Sequence, residues 1–181
     1  MLSGCGDIAR GCFKAYFDFA YNPFPYSKDV SNDKSKWGGY EKDAVYELEH
    51  NVYLLEKGKD KKKYYTLSVP RELRECSGYI AIYSVPSFDE YKWNKDYYEK
   101  RGQHYMDIVG IVEKGTVLHC VKLIESGNLN VSGIDIYAEI LEGKFKGYEV
   151  TLRSISCFND CDMGPVIKYK PEPNLLTKVE E

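Results

Sequence analysis

The chain has 181 residues, 43% of them hydrophobic and 29% charged, which suits one domain, or one domain with an appendage, that can bury a core without metal or disulfide help. Its formal net charge is −3, from 28 acidic and 25 basic residues, so no basic face for nucleic acid is expected. No apolar run approaches the roughly 20 residues of a membrane-spanning helix.

The first five residues are Met1-Leu-Ser-Gly-Cys5. Leu2-Ser-Gly-Cys5 resembles the lipobox of bacterial lipoproteins, in which the cysteine becomes the acylated first residue of the mature protein. The resemblance covers these residues alone and speaks to address rather than chemistry. It implies lipidation of Cys5 and a place on the periplasmic face of the cell envelope, with Gly6-Asp7 fitting outer-membrane sorting. Any membrane attachment then comes through the acyl chains on Cys5, since one chain holds weakly and several hold firmly. Without that lipid, a cytoplasmic β domain is expected.

Residues 7–20 place Ile8, Cys12, Phe13, Tyr16, Phe17 and Ala20 at helical spacing, with Asp7 as the N-cap. Pro23 and Pro25 end that helix, because each biases its predecessor toward extended geometry. Residues 27–43 read as a polar loop that carries Trp37 and Tyr40. This opening section, 1–43, precedes a β domain over 44–164 and a C-terminal tail, 165–181, expected to be peripheral.

From Ala44 the period becomes two. Ala44, Tyr46, Leu48, His50, Val52 and Leu54 alternate with polar residues and predict one strand with a wet face. A charged turn over 57–63 leads to a returning strand, Tyr64–Val69, halted by Pro70, and a third strand spans 79–85. Residues 87–104 carry Phe88, Tyr91, Trp93, Tyr97 and Tyr98 without strand alternation and fit a short helix or an ordered loop. Four more strands follow, over 107–112, 116–124, 134–141 and 148–155, separated by turns at Glu113-Lys-Gly115, Ser126-Gly-Asn128 and Gly143-Lys-Phe-Lys-Gly147. The fold class expected is mainly β, an antiparallel small barrel or sandwich with a short N-terminal helix. The Gly143–Gly147 unit looks like the tight hairpins of SH3-like barrels, an analogy of fold alone.

Motifs for chemistry are sparse. His50, His104 and His119 stand apart from one another, and no paired Cys-x-x-Cys or His-x-x-x-His spacing marks a metal site. No Gly-x-Ser-x-Gly elbow and no phosphate-cradling glycine loop occur. His119 and Cys120 are neighbours on a strand, so they point to opposite faces and cannot form a dyad. No catalytic residue, metal or cofactor is assigned. In an oxidising compartment Cys157 and Cys161 form the best disulfide pair, while Cys120 is either bridged to Cys76 or simply a small buried hydrophobe.

The positive feature is aromatic. Tyrosine reaches 17 residues against 7 phenylalanines, and its amphipathic ring suits both half-buried strands and contact surfaces. Trp37, Tyr40, Tyr91, Trp93, Tyr97 and Tyr98 fall in irregular segments, where they either plug the end of a barrel or form a partner-binding patch with a polar rim. The function expected is a non-catalytic envelope lipoprotein that binds a protein partner, foremost an immunity protein that occludes a secreted toxin. The alternatives are a hydrolase with a Cys/His or carboxylate site, or an envelope assembly factor.

Overall fold

The computed structural model describes residues 26–57, 63–76, 85–95, 106–127, 132–158, 166–167 and 169–180. Cys5, the helix expected over 7–20, the charged turn, most of the strand expected over 79–85, Tyr97, Tyr98, His104 and Cys161 lie outside them.

Among the described residues the strands are β1 (Tyr26–Asp29), β2 (Val45–Leu48), β3 (Val52–Lys57), β4 (Tyr64–Ser68), β5 (Met106–Val112), β6 (Val117–Gly127), β7 (Ser132–Ile140), β8 (Glu149–Thr151), β9 (Ser156–Phe158), β10 (Val166–Ile167), β11 (Tyr169–Pro171) and β12 (Leu176–Lys178). Among the described residues one short α-helix, α1, spans Phe88–Trp93. The main sheet runs β12-β2-β6-β7-β8-β4-β3-β5, with β1 also on β6 and β10 on β7, and β9 and β11 make a separate pair. The class is therefore mainly β, as the alternation predicts. The sheet is not a closed barrel, because its path ends at β12 and β5. Residues 49–51 join β2 to β3, the strands next to those two ends, and both strands contribute side chains to one core.

β7 shows why these residues form strands. Ser132, Ile134, Ile136, Ala138 and Ile140 are buried while the residues between them are partly exposed, the two-residue period of a sheet with one wet face. They meet Leu118, Cys120 and Leu123 of β6, Val150 of β8 and Leu48 of β2 in a single core. β3 follows a different rule. Val52 and Leu54 enter that core, whereas Tyr53 and Leu55 enter a second cluster with Val85, Tyr91 and Ile108. The strand is buried on both faces, so its run Val52-Tyr-Leu-Leu55 is continuously apolar.

The single strand expected over 44–54 is two strands. β2 stops at Leu48, the chain bends, and His50 is exposed rather than directed inward. The bend holds because Leu48 N–H donates to Thr116 O at 3.0 Å and Gly115 N–H to Leu48 O at 2.8 Å, tying it to the β5–β6 turn. The strand expected over 148–155 is likewise cut short. β8 ends at Thr151, and Arg153–Ile155 turn as a 3-10 helix that buries Ile155.

The outer cover of β3 is α1. Six residues are too few to hold a helix alone, and a capping box compensates at its start. Glu90 N–H donates to Ser87 Oγ at 3.1 Å and Ser87 N–H to Glu90 Oε2 at 3.0 Å. Tyr53 then packs against Phe88 and Tyr91, with ring centroids 5.0 and 5.4 Å away.

The C-terminal segment, expected to be peripheral, is built into the molecule. β12 pairs with β2, and Tyr169, Leu175 and Leu176 are buried in the main core. Cys157 is a free thiol, and Cys161, the partner expected for it, lies outside the described residues. Cys157 sits on β9, opposite Lys170 of β11, with its Sγ 3.7 Å from Lys170 O and 3.6 Å from Pro171 O. Cys120 is also free and buried, so it is the small hydrophobe rather than half of a bridge.

Candidate functional site

Of the aromatics expected to form a contact patch, three are core. Trp37 is 4% exposed and donates its Nε1–H to Ser31 O at 2.9 Å. Tyr40 is 2% exposed, with its hydroxyl 2.6 Å from Ser156 Oγ. Tyr91 is buried beside Tyr53. The correction has a physical reason: the polar tips of Trp37 and Tyr40 find partners inside the core, and the Tyr91 ring packs on Tyr53, so nothing draws these rings to the surface. Burial pushes the Tyr40 phenol well above its ordinary range. Trp93 is the opposite case, 82% exposed at the end of α1. The structure does not bring it together with Trp37 and Tyr40, which belong to the other cluster.

A different set of aromatics lines an open groove. Tyr64, Tyr65, Tyr137 and Tyr148, with Lys63, Gly147 and Glu149, line a groove of about 380 Å³. Each reaches it through its element. Tyr64 and Tyr65 begin β4, in ladder with Lys57 and Glu56 of β3. Tyr148 follows the β7–β8 loop. There Gly147, at φ 84°, takes the left-handed conformation that a side chain disfavours, and its N–H closes the turn on Ile140 O at 2.8 Å. The loop is pinned from beneath by Phe145, which is buried against Gly110 of β5 and meets the Tyr148 ring at 5.7 Å. Tyr65 and Tyr148 then stand at 62°, 4.9 Å apart, an edge-to-face pair.

Tyr137 projects from the wet face of β7, and a bulge sets its neighbour. Between Cys120 and Lys122 the β6 register shifts, so Val121 is the extra residue and Lys122 stands opposite Tyr137. The Lys122 ammonium lies 4.8 Å from the Tyr137 ring centroid and 2.7 Å from Glu149 Oε1. On the other side Lys63 reaches Glu56 at 2.6 Å, and the Tyr65 hydroxyl donates to the same carboxylate at 3.3 Å. Burial, with the nearby Asp135 and Glu149 carboxylates, pushes Tyr137 up to about 12. Burial and Glu56 raise Tyr65 as well. Both phenols remain neutral hydrogen-bonding groups near neutrality.

The arrangement presents aromatic faces and hydroxyls, and no cysteine, serine or histidine is among the residues that line it. The buried Cys120 thiol is pushed up to about 12 by desolvation, so it carries no thiolate at neutral pH. Burial raises Cys157 too, with Glu172 adding to the effect. His119 faces away from Cys120, as strand geometry requires, and lies 3.9 Å from Asp43. Among the described residues no group of three or more metal-ligating side chains occurs, and no helix is long and apolar enough to cross a membrane.

The tyrosines of the groove were not singled out by the sequence reading. For Tyr137 the signal was present: Ile134-Asp-Ile-Tyr-Ala-Glu-Ile140 puts Asp135, Tyr137 and Glu139 on the wet face. Nothing local links it to Tyr64 and Tyr65, which the parallel pairing of β4 with β8 brings alongside. Comparison with protein-family models, with curated proteins and with solved structures returned no match.

Proposed function

We propose that this chain is a non-catalytic protein-binding module whose contact surface is the groove of Tyr64, Tyr65, Tyr137 and Tyr148. The observation that carries the reading is that four tyrosines line one open groove at the edge where β4, β7 and β8 meet. Protein interfaces concentrate tyrosine at their energetic centres and surround it with a polar rim; here Lys63, Lys122 and Glu149 supply the rim. The rings are held by strands and by mutual contacts, so little side-chain freedom is lost on binding. A hydrolase built on Cys120 is disfavoured by its inert thiol.

The narrower reading is an envelope lipoprotein that neutralises a secreted toxin by covering its active site. It draws support from the resemblance at Leu2–Cys5 and from the rigid sheet beneath the groove. Metabolic labelling with a fatty acid tests the address: label on the parent and none on Cys5→Ser is expected, and equal labelling refutes it. Capture of secreted and envelope proteins on immobilised chain tests the surface. A protein held by the parent and lost on the Tyr64→Ala/Tyr137→Ala double variant, with melting temperature unchanged, is the expected result. Equal retention by both proteins refutes the assignment of this face.

A further inference from the structure

One edge of β6 is paired with β7 along its length, and the other is covered by two strands in turn. Val117–His119 pair with β2, and Ile124–Gly127 pair with β1, from Tyr26 opposite Gly127 to Asp29 opposite Ile124. The two covers are not equivalent. β2 buries Tyr46 and Leu48 in the main core. β1 exposes all four of its side chains, and among the described residues neither apolar cluster includes one of them. Burial of apolar surface, the dominant favourable contribution to folding, therefore does little to hold β1 down. It is held by its main-chain ladder and by the Tyr26 hydroxyl, which donates to Glu125 Oε1 at 3.0 Å.

The hold changes abruptly after Asp29. Val30 is buried, and its N–H donates to Leu123 O at 3.0 Å. Leu123 N–H donates to Ser31 Oγ at 2.9 Å, and the Trp37 indole N–H to Ser31 O at 2.9 Å. The acceptor for Tyr26 is also fixed without help from β1. Lys36 Nζ lies 3.1 Å from Glu125 Oε2, and Ser132 Oγ of β7 donates to Glu125 Oε1 at 3.0 Å. On the far side Glu125, Ser126 and Gly127 stay in ladder with Ile134, Gly133 and Ser132. Lifting β1 thus leaves the carboxylate, its orientation and the β6–β7 ladder in place.

We propose that β1 is a releasable strap, latched by Glu125 and hinged at Val30–Ser31, whose opening uncovers the Ile124–Gly127 edge of β6 while the rest of the sheet stays closed. Local openings of this kind cost less than global unfolding. The open state presents unpaired main-chain donors and acceptors, as any free strand edge does, and the fixed carboxylate draws Tyr26 back.

The test is amide hydrogen exchange of the full chain, followed residue by residue by NMR in water and in sub-denaturing urea. Amides of the β1–β6 ladder are expected to exchange at least about tenfold faster than those of the β6–β7 ladder. Their rates should hardly respond to urea, because opening the strap exposes little surface. Two mild variants separate the strap from global unfolding. Ile136→Val, at a buried core position, is expected to speed β6–β7 exchange about fivefold and to leave the β1–β6 rates unchanged. Tyr26→Phe removes the latching hydroxyl and is expected to speed β1–β6 exchange about fivefold. Equal rates with equal urea dependence in the two ladders, or acceleration of both by Ile136→Val, would mean that β1 opens only when the molecule unfolds, and overturns the proposal. Unchanged β1–β6 exchange in Tyr26→Phe removes Glu125 as the latch and overturns it as well.

Discussion

Replacing Trp37 tests the assignment of the loop aromatics to the core. Its side chain is 4% exposed, and an indole buries about 150–250 Å². At about 25 cal/mol per Å² that burial is worth roughly 4–6 kcal/mol. Alanine keeps part of it, and measured tryptophan-to-alanine costs in cores run about 3–5 kcal/mol. A domain of this size loses about 2–4 °C of melting temperature per kcal/mol, so Trp37→Ala is expected to melt about 6–20 °C below the parent. Trp37→Phe separates packing from polarity. It keeps most of the ring but strips Ser31 O of the donor now 2.9 Å away, and an unsatisfied buried acceptor costs about 1–3 kcal/mol. Trp93→Ala is the control: at 82% exposure it is expected to stay within about 0.5 kcal/mol of the parent. Differential scanning calorimetry of the four proteins at one pH decides. A Trp37→Ala transition no lower than that of Trp93→Ala would refute the burial argument.

Three further outcomes are expected. A Cβ on Gly110 would lie 2.7 Å from Phe145 Cζ. Gly110→Ala should therefore cost about 1–3 kcal/mol in urea titration, with partial recovery in Gly110→Ala/Phe145→Leu; a neutral single variant contradicts this contact. Glu125 is partly desolvated, which raises its pKa, but hydrogen bonds from Lys36, Ser132 and Tyr26 prevail and lower it overall. A lowered native pKa means the stabilisation is complete above the unfolded value of about 4.3 and lost as pH falls through the native one. The melting-temperature deficit of Glu125→Gln should be full at neutral pH and shrink in acid; a deficit that grows in acid reverses the sign and the argument. Finally, iodoacetamide followed by mass spectrometry should leave Cys120 unmodified in the native protein and label it after unfolding; rapid native labelling would show that its thiol is neither buried nor raised in pKa.

The strands that could be read from the sequence are those with one wet face. β7 alternates cleanly because the core covers only one side of it. β3 was read as a continuation of the same alternation because Val52 and Leu54 fit that pattern, while Tyr53 and Leu55 report a second cover, α1, that lies 33 or more residues along the chain. The cover itself had a local signature, Ser87-Phe-Asp-Glu90, a capping box ahead of an aromatic turn. Trp37 and Tyr40 could not be placed from their neighbours. Polar loops and buried plugs look alike until the partners of their polar tips are known, and those partners for Tyr40 come from Ser156, 116 residues away. The groove tyrosines were hidden for a related reason. Their meeting depends on the parallel β4–β8 pairing and on the β6 bulge, neither of which periodicity reveals.

The position of β12 against β2 has a consequence for biosynthesis. Thr177 Oγ donates to Glu49 Oε1 across 128 residues of chain, and Leu176, Thr177 and Lys178 cover the β2 edge that would otherwise face solvent. A ribosome must make residues 49–175 before that edge acquires its neighbour. Until then the nascent chain displays an open strand bearing Tyr46 and Leu48, the kind of template that recruits other chains. Contacts this distant also slow folding, because a long loop must close before any reward is gained. Truncation before Leu176 should thus show first as low soluble yield during expression, with the tyrosine groove itself left intact in whatever fraction folds.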